Sequence, residues 1–307
     1  MTDDRTLPLG QRASLLARMR NVAAAVPGTD PARSVQLTLA IDRYLARLLA
    51  TTEWSSWVLK GGYANQLRAP SEARFTQDVD LKLDAPLADA QGILARAAST
   101  DLTDLFSFEF AAPPQSLSGP PGGGLRFPIR ALLAGVELAR FGADVTSKDA
   151  VIGKLERHPS NPLVVMLEFP KSWFPVYPIA QQFAEKLHAF SRPRDQENTR
   201  VKDLADMVWY IERYRFWSDA LIDSGAATFG RRSEHPWPPE VPSVPDTWAR
   251  PYAALRREME IAPETPVAAR DDLAAFLQPV LGEQRGLRSA RGGAWSPVSK
   301  HSTPHTT

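Results

Sequence analysis

The sequence predicts an α+β protein, a β-sheet core followed by a helical C-terminal stretch, and three observations predict it. Residues 74–83 (RFTQDVDLKL) alternate apolar and polar with the two-residue period of a strand. Residues 125–134 and 137–145 read as the two strands of a hairpin. Residues 10–25, 33–50 and 199–214 instead repeat their apolar positions with helical spacing.

The N-terminal helices are separated by the turn-forming segment PGTDP at 27–31 and are expected to cover the back of the sheet. Trp54 and Trp57 lead into an apolar approach, Val58-Leu59, which ends in the turn Lys60-Gly61-Gly62. A short helical run follows and stops at Pro70.

In the strand predicted over 74–83, Phe75, Val79, Leu81 and Leu83 share one face. Thr76, Asp78, Asp80 and Lys82 share the other. Two carboxylates at i and i+2 repel one another, so a cation is expected beside them. Oxygen-only ligation suits a hard ion such as Mg²⁺, which usually keeps waters and substrate phosphates as its other ligands. A glycine turn ahead of a helix lets backbone N–H groups approach an anion closely, at the end of the helix that favours negative charge. Each element alone also has an ordinary reading, a common turn and a solvated strand face. Together they describe a nucleotide site.

Farther on, 85–99 reads as a helix, Phe106–Phe110 as a strand, 113–124 as a Pro/Gly-rich hairpin connection and 162–169 (PLVVMLEF) as one more apolar strand. A helix carrying Lys186 precedes the polar loop RPRDQENTR. Thr199 is the expected N-cap of the next helix. Val201, Leu204, Ala205, Val208 and Ile211 form its apolar stripe; Asp203 and Asp206 lie opposite, where charges are ordinarily solvated. The chain stays helical in character to about residue 283, apart from a Trp/Pro-rich loop at 235–248, and then becomes basic, polar and aperiodic.

The whole-chain numbers exclude several classes. With 307 residues, 43% apolar and 23% charged, the composition is that of a globular protein, with room for two moderate domains. Net charge is +1, so nucleic-acid binding has to rest on a local patch. The absence of cysteine removes disulfides, thiolate metal sites and a cysteine nucleophile, and suits the cytoplasm. The polar N-terminus does not read as a signal peptide, and no stretch approaches the roughly 18 apolar residues of a membrane span.

A Gly-Gly turn, a helix and Asp-x-Asp on the next strand resemble the DNA polymerase beta-like nucleotidyltransferase superfamily. The form here, KGG with R-x-T-x-D-x-D, resembles the AbiEii/MenT-type toxins of type IV toxin–antitoxin and abortive-infection systems, over roughly residues 35 to 260. A second block, Lys186 in AEKLHA and Arg200, Lys202, Asp203 and Asp206 in RVKDLAD, follows in the family's order. Where the family has Gly-Ser this chain has Gly-Gly, which removes a phosphate-binding hydroxyl.

The resemblance implies a bilobed protein with a nucleotidyltransferase-like mixed sheet. The expected divisions are N-terminal helices over 1–50, the core over 51–178, a helical lobe over 179–284 and a tail over 285–307. It implies an NTP substrate with Mg²⁺, a tRNA 3′ acceptor end as nucleotide acceptor, and a separately encoded antitoxin. By residue, it implies metal binding by Asp78 and Asp80, with Asp144 as a third carboxylate. Nucleotide binding falls to Lys60, Gly61, Gly62, Arg74, Thr76 and Lys186, and catalysis to Asp78, Asp80, Lys186, Asp203 and Asp206. Arg192, Arg194, Arg200 and Lys202 are the candidates for RNA contact. Two other readings stand beside this one: transfer to a protein or small molecule, which an acidic rather than basic approach would favour, and a silent nucleotide-binding module.

Overall fold

The computed structural model describes residues 6–26, 30–117, 123–147, 150–237, 239–284 and 294–295. The chain divides into two compact units, Met1–Ala150 with Leu155–Tyr177, and Val151–Lys154 with Pro178–Thr307.

The first unit holds α1 (Thr6–Ala23), α2 (Pro31–Thr51), β1 (Trp57–Lys60), α3 (Gly61–Arg68), β2 (Asp78–Leu83), α4 (Ala90–Ser99), β3 (Phe106–Phe110), β4 (Gln115–Leu117), β5 (Gly124–Leu133), β6 (Val136–Thr146), β7 (Glu156–Pro159), α5 (Pro162–Met166) and β8 (Trp173–Val176). Among the described residues the eight strands form one mixed sheet, in the order β3-β5-β6-β2-β1-β8-β7, with β4 paired to β5. The expected α+β class with a mixed sheet is what the chain adopts.

Helix α2 starts with Pro31 in its first turn, and the Asp30 carboxylate accepts from the Arg33 amide at 3.1 Å. It packs on β6, β3 and α4, burying Val35, Leu37, Leu39, Ile41, Tyr44 and Leu45. Two arginines are buried with them. Arg47 donates to both Asp104 oxygens, at 3.0 and 2.6 Å, and to the Phe106 carbonyl at 2.8 Å, which ties α2 to the edge strand β3. The β5–β6 hairpin turns on Ala134 and Gly135, both with positive φ, the two-residue turn whose twist matches the strands.

Several expectations are corrected. The acidic strand begins at Asp78, not at residue 74. Upstream, Thr76 Oγ1 donates to the Asp78 carbonyl at 3.2 Å, a local bond that takes the place of a ladder partner. Within the strand, Val79, Leu81 and Leu83 are buried as the alternation requires, but Lys82 is buried too and ion-pairs with Asp84 at 3.1 Å. The run at 162–169 is a helix, α5, because the Asn161 side chain caps it by accepting from the Leu163 amide at 3.0 Å and Pro162 starts its first turn. Val165 and Met166 are exposed there, so an apolar run was not a core strand. The actual strands nearby, β7 and β8, are four residues each and punctuated by proline, too short to show a period.

The second unit holds α6 (Ile179–Ser191), α7 (Val201–Arg213), β9 (Phe216–Trp217), α8 (Ser218–Arg232), α9 (Ala249–Met259), α10 (Pro266–Gln284) and β10 (Ala294–Trp295). Residues 151–154 join it through the Ile152 amide, which donates to Gln181 Oε1 at 2.7 Å. Its core gathers the rings of Phe183, Tyr210, Phe216 and Phe276 at centroid separations of 5.3–6.5 Å. Thr199 does not cap α7; that position is Arg200, whose amide is held by Asn198 Oδ1 at 3.0 Å. Of the tail expected to lack structure, Ala294–Trp295 pair antiparallel with β9, and the rest lies outside the described residues.

Candidate active site

In the first unit, four charged residues fall in one row across four strands. Lys60 on β1 pairs in register with Asp80 on β2, Asp80 with Asp144 on β6, and Asp144 with Arg126 on β5. Opposed residues on neighbouring strands share a face, so the signs run plus, minus, minus, plus along one line of the sheet. Asp78 stands two residues from Asp80 on the same face, opposite Gly142. Register thus places Asp78, Asp80 and Asp144, the three carboxylates that the sequence singled out, on one face of the sheet.

The start of α3 closes on this row. Gly61 has φ +70, and a Cβ there would lie 1.9 Å from Asp80 Oδ2; a Cβ on Gly62 would lie 2.9 Å from the Thr76 side chain. Space therefore requires both glycines, and Gly61 is required by its backbone conformation as well. Asp80 also meets the first turn of α3, whose dipole favours negative charge. Lys60 precedes that turn, with its ammonium 5.7 Å from the centre of the Tyr177 ring. Arg74 lies on the segment entering β2, where its carbonyl accepts from Gln66 Nε2 at 3.3 Å. The Arg68 side chain is buried and ion-pairs with Glu156 at 2.8 Å.

Arg126 is the residue that sequence reasoning missed. Its Nε donates to Asp144 Oδ1 at 2.7 Å and its Nη2 to Asp144 Oδ2 at 2.8 Å, a bidentate pair. Nη2 also reaches Asp78 Oδ2, at 3.2 Å, while Asp78 Oδ1 accepts from the Gly142 amide at 3.2 Å. The bonds to Asp144, opposed by partial burial and reinforced by the fields of Asp144, Asp78 and Asp80, raise the guanidinium further above its already high pKa. It stays charged.

This arrangement tests the implied metal. Asp78 and Asp80 offer an oxygen-only donor pair beside a glycine cradle, and that chemistry fits a Mg²⁺ ion that brings phosphate and water ligands of its own. A trio does not form: among the described residues no three His, Cys, Asp or Glu side chains are gathered to hold an ion, and both oxygens of Asp144 are on Arg126.

The second unit carries the other set. Lys186 on α6 donates to Asp206 Oδ2 at 2.7 Å and to Asp203 Oδ1 at 3.2 Å, both on α7. Asp206 is fully buried, which corrects the expectation of a solvated helix face. Arg200 approaches Asp203 at 3.6 Å, and Lys202 is exposed. Arg192 pairs with Glu234 at 3.3 Å rather than with a neighbour in its own loop, and Arg194 donates to the Ala189 carbonyl. Partial burial, then the charges of Arg200 and Arg192, pull the Arg194 guanidinium below its ordinary pKa, so these cations lie close to one another.

Among the described residues no helix is long and apolar enough to cross a membrane. The chain matches none of the curated proteins with which it was compared. Residues 43–286, which hold both the acidic row and the Lys186–Asp206 pair, match the family described as nucleotidyl transferase AbiEii toxin, type IV toxin–antitoxin system, and the chain belongs to that family.

Proposed function

We propose that the protein transfers a nucleotide from an NTP, with Mg²⁺, to RNA, at the 3′ acceptor end of tRNA, and so blocks translation until a cognate antitoxin counters it. The observation that carries this reading is the Asp78–Asp80 pair set against the Gly61-Gly62 start of α3. Bound there, Mg²⁺ would offset the charge that develops on the phosphates. Asp78 and Asp80 supply its protein oxygens, and the first turn of α3 presents N–H groups to phosphate. The acceptor hydroxyl releases its proton to solvent and forms a bond to the α-phosphorus as the bond to the bridging oxygen breaks, and pyrophosphate leaves with the electron pair.

RNA is favoured as acceptor by the cation cluster of Arg192, Arg194 and Arg200, since a net charge of +1 leaves affinity for phosphate to local groups. The test is incubation of the purified protein with each α-labelled NTP, Mg²⁺ and total tRNA. Label at the tRNA 3′ end, absent with Asp78→Asn, is the expected result. Label on protein alone, or none on tRNA with any NTP, sinks the RNA reading.

A further inference from the structure

The structure holds a cation where the family chemistry calls for one, and it belongs to the chain. The Arg126 guanidinium spans Asp144 and Asp78, with two bonds of 2.7 and 2.8 Å to the first and one of 3.2 Å to the second. The two partners differ in kind. Asp144 gives both its oxygens to Arg126 and its side chain is 16% exposed, whereas Asp78 gives one oxygen and is 42% exposed. A bidentate pair with a half-hidden carboxylate fixes the guanidinium plane; the single contact to an open carboxylate is the one that can be exchanged.

We propose that Arg126 and the divalent cation compete for Asp78, and that Asp144 is the anchor of Arg126 rather than a third metal ligand. The inference rests on the reading of Asp78 and Asp80 as the cation pair, and adds to it what sets the affinity of that pair. The open Asp78–Asp80 row would otherwise place two like charges beside a third, Asp144, in register. Arg126 offsets that repulsion in the absence of ligand, and the offset has to be given up at Asp78 when a cation arrives. Cation binding alone is therefore weak, and loading is favoured when the cation comes with the phosphates of a nucleotide, which give the guanidinium another anion to meet.

The alternative is that Asp144 is a ligand and Arg126 a bystander, and Mn²⁺ binding by the full chain without nucleotide or RNA separates the two. Read by calorimetry or by the loss of free-Mn²⁺ electron paramagnetic resonance, Arg126→Gln is expected to tighten Mn²⁺ binding by about fivefold or more, the scale of one exchanged partly exposed ion pair. Arg126→Lys keeps the charge but cannot span both carboxylates, so it should tighten binding by less, and it serves if the glutamine variant does not fold. Asp144→Asn is expected to weaken Mn²⁺ binding by less than about tenfold, the lower end of what loss of a group at a metal site costs. Melting curves check that each variant is folded. Unchanged or weaker binding in Arg126→Gln, no binding by it at all, or a loss of tenfold or more in Asp144→Asn each overturns the proposal. Failure to label tRNA would not touch it, because no nucleotide or RNA enters this measurement.

Discussion

Lys186 and Asp206, on neighbouring helices of the second unit, form an ion pair of 2.7 Å around a carboxylate that is fully buried. Asp203 joins it at 3.2 Å on the rim. A buried carboxylate is tolerated because charge and hydrogen bonds meet it, and taking away its partner costs far more than the pair contributes.

Lys186→Ala is therefore expected to lower the unfolding free energy by about 3 kcal/mol or more, since it strips the ammonium from buried Asp206. Urea unfolding measures the loss; a variant as stable as wild type would contradict the burial of the pair.

Asp78→Asn and Asp80→Asn should each abolish transfer with Mg²⁺ present. The Asp78 change also removes the 3.2 Å ion pair to Arg126, but that pair is partly exposed and worth at most about 1 kcal/mol. Near-wild-type melting together with abolished activity is the expected result. Retained activity in either variant removes these residues from the site.

Gly61→Ala tests the cradle. Positive φ costs a side-chain-bearing residue about 1–3 kcal/mol at a constrained position, and here the new Cβ would also lie 1.9 Å from Asp80 Oδ2. Gly153 has φ +87 but nothing within 4 Å, so Gly153→Ala bears the backbone cost alone. Transfer activity should fall in the first and persist in the second, measured at a temperature where both are folded.

Acid should destabilise the second unit through His188. Burial, then the charges of Arg232, His235 and Arg192, depress its folded pKa to about 3 from 6.5, with Glu185 opposing. Arg232 Nη1 faces Nδ1 at 3.4 Å, and the ring packs on Phe229 and His235. The unfolded imidazole binds its proton near pH 6.5 and the folded one does not, so stability is full above that pH and declines below it. The loss is about 1.4 kcal/mol per pH step until the folded group titrates near 3. Urea midpoints between pH 7.5 and 4.5 should show this slope in wild type and a shallower one in His188→Gln.

Arg192→Glu with Arg194→Glu should cut tRNA affinity and make its salt dependence shallower, by roughly one in log–log slope for each phosphate that is no longer neutralised. NTP binding should persist. Titration of labelled tRNA at several salt concentrations decides it, and equal slopes would place the RNA surface elsewhere.

The sequence by itself determined the faces of these elements. Alternation placed Val79, Leu81 and Leu83 inward and Asp78 and Asp80 together, and helical spacing placed Leu204, Ala205 and Val208 in the core of α7. It also marked the glycine pair, whose crowding against Asp80 and Thr76 the fold explains. Period names a face and leaves the partner open, and here the partners were decided by tertiary structure. Asp206 lies on the side of α7 opposite the apolar stripe, yet α6 covers it and brings Lys186 to it. Arg126 depends on a single irregularity. Counted from the tight turn, where Leu133 pairs with Val136, an unbroken hairpin would oppose Asp144 to Leu125. A bulge between Ala131 and Leu132 shifts the register by one and sets Arg126 opposite Asp144 instead. One extra residue in a ladder moves every side chain beyond it to a new neighbour, and the local sequence of that hairpin does not show where the sheet, fitting its strands against β2 and α2, will place it.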